Sequence, residues 1–494
     1  MDAWPAWSPD ASQIAFVRND QVLLVSPLAG GERIVAESAG RVAWTPDGSA
    51  LLVLQKTSAE GTSIFRVTLA SGEKQRLTFP SDTNPGDLDM SISPDGRTLA
   101  FCRVLQTIGC ELFVMPAAGG EVHQLTDDHA QVLGMAWTAD SREVVFSSTR
   151  QNSYRLWRIP ALPANRRGLF NNPKPVEAAG DEAGWPSISR NGRLAYQHDT
   201  RNWDILRAEI AAGEASSNNR LGSPTPVNAS TRIETAPSWS PDGKKIAFVS
   251  NRSGYFEVWI CDADGSNPVR LTAFDGPSVM IVMSLHWSSD NERLIFSALT
   301  GPNGNPEGYI VSAKGGTPKR IDTTDHRSMA FPIFSLDERS IFFIPGPQES
   351  AEVWRMPSAG GAAIQVTRGG AFTPQESLDG KWLCYSRFRT HGVWCTPIAG
   401  GAERQILNSV LEGSWTIGPG GIYYFEVSKE PDATKLVKFY DFQTCQSTRI
   451  GTVAPTVLRI DAGTTTSVSH DGRWLLYTDS VNREADLMLV DRFR

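Results

Sequence analysis

One short pattern recurs along the whole chain and limits what it can fold into. An aromatic or aliphatic residue precedes Ser or Thr, any residue, Asp and often Gly, and an apolar run follows. The copies read Trp7-Ser-Pro-Asp10, Trp44-Thr-Pro-Asp47-Gly, Ile92-Ser-Pro-Asp95-Gly, Trp137-Thr-Ala-Asp140 and Ile188-Ser-Arg-Asn191-Gly. They continue as Trp239-Ser-Pro-Asp242-Gly, Trp287-Ser-Ser-Asp290, Phe334-Ser-Leu-Asp337 and Glu376-Ser-Leu-Asp379-Gly. A degenerate copy around Trp415 and the copy Val468-Ser-His-Asp471-Gly end the series. Eleven copies at intervals of roughly 37 to 53 residues mark a repeat architecture.

Each copy has the same internal grammar, clearest from Ala236 to Thr272. Pro237-Ser-Trp-Ser is a short strand. Pro241-Asp-Gly-Lys is a tight turn, because Pro presets φ, Asp bonds the local backbone and Gly tolerates positive φ. Lys245-Ile-Ala-Phe-Val-Ser and Glu257-Val-Trp-Ile-Cys are the second and third strands, and Val269-Arg-Leu-Thr272 is the fourth. Four antiparallel strands per repeat make one blade of a β-propeller, and stacking neighbours buries the faces that one blade cannot. The repeated Asp is then a scaffold residue of the turn.

These repeats resemble the PD40 (WD40-like) repeats of TolB-type propellers, whose signature Trp-Ser-Pro-Asp-Gly-x-x-Ile-Ala-Phe and later Arg-Leu-Thr is nearest at 239–272. The resemblance covers almost the whole chain and implies fold more than function. A closer resemblance, to the propeller region of CadC-like winged-helix transmembrane transcriptional regulators, rests on Leu156-Trp-Arg-Ile-Pro, Ser230-Thr-Arg and Asp486-Leu-Met-Leu-Val-Asp-Arg-Phe. It implies a sensor role in a larger, membrane-anchored parent and a periplasmic or extracytoplasmic location. Expressed as given, with no signal-peptide pattern in Met-Asp-Ala-Trp-Pro, the chain is expected in the cytoplasm.

The fold class expected is all-β, as tandem β-propellers with about eleven blades. The polar stretch Ala211 to Ser230 is the linker candidate. It separates a first propeller at 1–215, with five repeats, from a second at 226–494, with six. A single ring of eleven blades is the alternative. The second closes if Pro226 to Arg232 supplies a fourth strand to the last repeat. The first looks N-terminally incomplete, as though a blade lay upstream. No strand is in sight to close its Asn191 repeat, so Trp4, Trp7 and the edge Trp203 to Ile210 should stand bare.

Composition excludes several classes. The 47 basic and 54 acidic residues leave a net charge of −7, which argues against nucleic-acid binding. No run reaches the roughly 18 apolar residues of a membrane helix. Gly-x-Ser-x-Gly, phosphate-loop and His-Glu-x-x-His motifs are absent, and the seven His residues lie at no ligand spacing. No cofactor or metal is expected, and the chain reads as a non-enzyme. Of six Cys, those at 102, 261, 384 and 395 read as buried reduced thiols; Cys102 and Cys110 are the pair worth testing for a disulfide.

One charged pattern points to binding. An Arg recurs after the second strand (Arg18, Arg103, Arg150, Arg201, Arg252 and Arg387). Acids sit in the loops entering first strands (Asp82, Asp87, Asp89, Asp127, Asp128, Asp275 and Asp325). They read either as salt bridges between blades or as a charged mouth that captures an anionic or peptide ligand, with Arg150, Arg201, Arg252, Arg387, Asp127 and Asp275 as candidate binding residues. The function expected is a propeller that presents one face to a protein, peptide or small ligand. The alternative is a propeller enzyme, lyase, lactonase or peptidase-associated, with its chemistry in the central channel.

Overall fold

The computed structural model describes residues 2–28, 30–38, 40–57, 61–81, 86–105, 109–128, 130–150, 153–161, 172–211, 220–274, 279–300, 305–323, 328–345, 351–387, 390–427, 434–454 and 465–493. At Thr200, Arg201, 279–281, 300, 411, 412 and 481–484 it describes backbone alone. Among these residues the chain is all β, apart from one short 3-10 turn at Glu177–Ala179. Seven separate four-stranded antiparallel sheets each correspond to one repeat. The second and third repeats share a larger sheet, joined by one parallel pairing of Thr62 with Gly86. That approach demands glycine: a Cβ on Gly86 would stand 2.3 Å from the Thr62 backbone.

The chain forms two compact units, Met1–Thr200 with Glu484–Arg494, and Arg201–Arg483. In the second unit the first strand of each sheet packs on the first strand of the next, from Glu234–Trp239 through Val279–Trp287, Ala330–Phe334, Phe372–Glu376 and Val410–Gly418 to Thr466–Val468. Thr466–Val468 packs back on Glu234–Trp239, so the array closes. In the first unit Asp2–Trp7, Val42–Trp44, Gly86–Ile92, Val132–Trp137 and Ala183–Ile188 follow one another in the same way. This is the stacked-sheet architecture of a β-propeller.

The units differ from the ranges 1–215 and 226–494, and the reason is a strand. Leu194–Glu209 runs unbroken out of the first unit into the second, and Trp474–Val490 runs back. No Gly or Pro marks either passage, so composition is silent there. Trp203 to Ile210 is therefore no bare edge. Leu206 and Arg207 pair with Pro226 and Thr225, and Ile210 N–H donates to the Arg473 carbonyl at 2.7 Å. The strand thought missing from the Asn191 sheet is the C-terminal one. Phe493 N–H donates to the Gly192 carbonyl at 2.7 Å, Arg193 pairs with Asp491, and Val490 packs with Leu194 and Tyr196. Trp4 and Trp7 are exposed as expected.

Cys102 and Cys110, the pair singled out in the sequence, form a disulfide, and so do Cys384 and Cys395, which corrects the reading of Cys102, Cys384 and Cys395 as reduced thiols. Cys384 and Cys395 are direct cross-strand partners on Trp382–Ser386 and Val393–Pro397. Strand register brings them together, which neither position shows alone. Cys261 alone keeps the expected state, a buried free thiol.

Candidate functional site

The anchor turns are structural at atomic detail. Ser240 Oγ donates to Asp242 Oδ1 at 2.7 Å, and the Lys244 and Lys245 amides donate to Asp242 and Ser240. The same bonds recur at Ser93–Asp95, Ser377–Asp379 and Ser469–Asp471. Donation by the Ser8 hydroxyl and the Ser12 amide holds the Asp10 carboxyl down at about 2. Anchor indoles tie sheet to sheet. Trp44 donates to the Ala6 carbonyl at 3.0 Å, Trp137 to that of Ser91 at 2.9 Å and Trp287 to that of Ser238 at 3.0 Å.

A second recurring device escaped sequence reading. The Thr that ends Arg-Leu-Thr is a latch. Thr272 Oγ1 donates to the Glu257 carboxylate and accepts from the Val258 amide at 2.9 Å. Thr126 does the same for Glu111 and Leu112, and Thr367 for Glu352 and Val353. The signal was present, as an acid fifteen residues before each such Thr.

The recurring arginines are held within their own unit. Arg103 Nε donates to Asp87 Oδ1 at 2.7 Å and lies over the Phe101 and Phe113 rings. Arg150 pairs with Asp128 at 2.8 Å over Phe146 and Trp157. Arg252 pairs with Glu234 at 3.0 Å over Phe248 and Trp259, and bonds the Asn228 carbonyl. Arg387 pairs with Glu403 and lies over Trp394. Arg18 pairs with Asp2 and Glu32. Asp127 is exposed beside Asp128. The Arg201 side chain, Asp82, Asp275 and Asp325 lie outside the described residues.

Two buried acidic sites sit in a more pointed setting, and of their acids Asp89 alone belongs to this series. In the second unit Asp204 and Glu234 are buried together. Burial, and the hydrogen bond and charge of Glu234, push the Asp204 carboxyl up to about 7. Ser230, Ser250 and Arg252 hold Glu234 from its other side.

In the first unit Asp89 is buried, and desolvation raises its carboxyl against the pull of Arg41. Arg41 Nη1 bonds Asp89 at 3.1 Å, and its guanidinium lies 5.2 Å from the Trp185 ring centroid. Trp185 stays 39% exposed. It occupies a left-handed bulge three residues before the anchor, φ 51°. Trp4, Ala236, Ser284, Phe331 and Thr373 hold the same place and sign of φ, as does Gly134, a hint in the sequence. Beside Asp89, Leu88 is 53% exposed; Phe79, capped by Arg76, is 68% exposed. Thr78, next to Phe79, donates to Asp87 at 2.5 Å, which connects the two patches. Trp185, Leu88 and Phe79 are thus exposed apolar side chains of the unit that carries the fixed Arg41–Asp89 pair.

No family model matches the chain. An uncharacterized protein of Agrobacterium fabrum is 25% identical over 267 residues, 51% of this chain and 82% of that protein. The Tol-Pal system protein TolB of Thioalkalivibrio sulfidiphilus is 31% identical over 86 residues, 17% of this chain and 19% of its own. A TolB homolog of Chlorobium chlorochromatii is 29% identical over 145 residues, 29% of this chain and 31% of its own. The chain therefore spans under a third of these two TolB relatives. A solved Agrobacterium tumefaciens structure, described as a TolB, is 18% identical and covers 57% of this chain and 99% of that one, with a TM-score of 0.45. The sequence relatives and the anchor grammar agree on TolB-like β-propeller repeats. The likeness to CadC-like regulators has no support among these relatives.

Proposed function

We propose that the chain is a non-catalytic β-propeller module that holds a protein or peptide on the loop face of its first unit. The observation that carries this reading is Arg41, fixed between Asp89 and the exposed Trp185 ring, in a unit that also exposes Leu88 and Phe79. Exposed aromatic side chains with a prepositioned Arg are the composition of interaction hot spots. The clamped Arg150, with Asp127 and Asp128, extends this face in the first unit; Arg252 and Arg387 would serve a corresponding face in the second. Two disulfides favour an oxidising, extracytoplasmic setting. No helix among the described residues is long and apolar enough to cross a membrane. In that setting the module would act as an interaction protein or as the sensor part of a larger regulator.

The test is a display selection of unstructured peptides on the intact protein, with affinities then measured on Trp185→Ala, Leu88→Asp and Phe79→Ser. Binders should lose about tenfold or more on Trp185→Ala, a hot-spot loss. A panel of binders indifferent to all three substitutions would refute the assignment.

A further inference from the structure

Five repeats of the first unit put five different residues at one equivalent position, three before the anchor: Trp4, Arg41, Asp89, Gly134 and Trp185. Four of them meet. Arg41 Nη1 bonds both Asp89 oxygens, at 3.2 and 3.1 Å, and the guanidinium carbon lies 5.2 Å from the Trp185 ring centroid. Gly134 makes room for that ring, since a Cβ there would stand 3.0 Å from Trp185 Cε3. Arg41 leads into the second first strand of the unit and Trp185 lies on the fifth, so their contact crosses the array instead of following it. The innermost strands therefore converge here, at the axis of the unit. Trp4 holds the equivalent left-handed place, φ 50°, on the strand packed against Val42–Trp44, and is 42% exposed.

In the second unit the same position serves packing alone. Ala236, Ser284, Phe331, Thr373 and Thr465 hold it there, and all five are buried. The first unit instead carries an arginine and two exposed indoles.

The arginine is fixed but only half used. Among the described residues its hydrogen bonds all leave from Nη1. Nε and Nη2, the two parallel donors along the other edge of the guanidinium, have no partner there, and the side chain is partly exposed. Buried Asp89 holds one corner of the group and the Trp185 ring holds its plane, so the free edge keeps one orientation. Two parallel N–H donors match the two oxygens of a carboxylate.

We propose that the axis of the first unit is a carboxylate subsite. A carboxylate of the bound peptide accepts from Nε and Nη2 of Arg41, and Trp4 and Trp185 cover the apolar residue beside it. This rests on the reading of that unit as a peptide-binding face, and it names what the peptide must carry. An acidic side chain and a C-terminal carboxylate present the same two oxygens.

Three synthetic peptide libraries of equal length, screened on the intact protein, test this. The first contains Asp and Glu and ends in an amide. The second omits both acids and ends in a free carboxylate. The third has neither. Binders that weaken on Trp185→Ala should come from the first or second library, which tells a side-chain carboxylate from a terminal one. Converting the acid of such a binder to its amide should weaken it about tenfold on the native protein, the loss of a charge-assisted pair of bonds. Arg41→Lys keeps the charge beside Asp89 and removes the fork, and should cost a similar factor, with circular dichroism as the check on folding. Trp4→Ala should also weaken these peptides. Trp185-dependent binders that arise equally from the third library, or that tolerate the amide, would overturn the carboxylate assignment and leave the peptide-binding face standing. Absence of Trp185-dependent binders from all three libraries would remove both.

Discussion

The carboxyl of Asp204 is buried against that of Glu234, and its proton is held up to about 7. Asp204 lies on the strand that enters the second unit, and Glu234 opens that unit's first complete sheet. The pair therefore sits where the closing sheet of that unit meets its first. Neighbouring bonds at the same junction join Trp239 N–H to Ser467 Oγ and Arg207 to the Ala263 carbonyl.

A folded-state carboxyl raised from 3.8 binds its proton more tightly than the unfolded chain does. Its stabilisation is complete below about pH 4 and is lost as pH rises to about 7, at up to about 1.4 kcal/mol per pH unit. Burial holds His286 down at about 4, which acts in the opposite direction over much of that window. The informative quantity is thus the difference between the native chain and Asp204→Asn, where His286 cancels. Calorimetry at pH 5 and pH 8 should show Asp204→Asn less favourable at pH 5 and more favourable at pH 8. A difference independent of pH would refute the raised Asp204 carboxyl.

The anchor positions should separate by role. Trp239 is buried, and Trp239→Ala should cost about 3–5 kcal/mol through the cavity it leaves. Asp242→Asn weakens turn bonds at a partly exposed site and should cost about 1 kcal/mol. Denaturant titration of the second unit reads both.

The Thr latch should behave as a buried polar unit. Thr272→Val leaves the Val258 amide and the Glu257 carboxylate without their shared partner, at about 2–3 kcal/mol. Thr272→Ser keeps the hydroxyl and should recover most of that loss. Equal effects of the two substitutions would point to the methyl group instead.

The cysteine assignments predict a thiol count. In the native protein Cys445 is exposed, while burial pushes the Cys261 thiol up to about 12. A thiol reagent should label Cys445 promptly and Cys261 only on unfolding. Reduction of the unfolded chain should add Cys102, Cys110, Cys384 and Cys395 to the count. The Cys384–Cys395 link closes a loop of about eleven residues, so its loss should lower stability by about 3 kcal/mol.

The repeat, its four-strand grammar and the scaffold role of the Ser-x-Asp turn were all legible in the chain, because each depends on residues a few positions apart. Trp239, Ser240 and Asp242 meet in one turn whatever the rest of the molecule does. The recurrence of Arg after the second strand was legible too, but its meaning was not. Whether Arg103 reaches solvent or Asp87 depends on a neighbouring strand, and the register puts Asp87 directly opposite.

Local pattern therefore determined the kind of building block and where each copy begins. Tertiary structure decided which strands complete which sheet. Leu194–Glu209 and Trp474–Val490 look like ordinary strands in sequence, yet both pass between units, and no side chain along them announces it. Strand pairing is a bond between backbones, and the backbone is nearly the same at every residue, so partner choice is set by packing over the whole unit. The same applies to Asp204 and Glu234. Each is an unremarkable residue alone, and its chemistry comes from what a distant part of the chain places beside it.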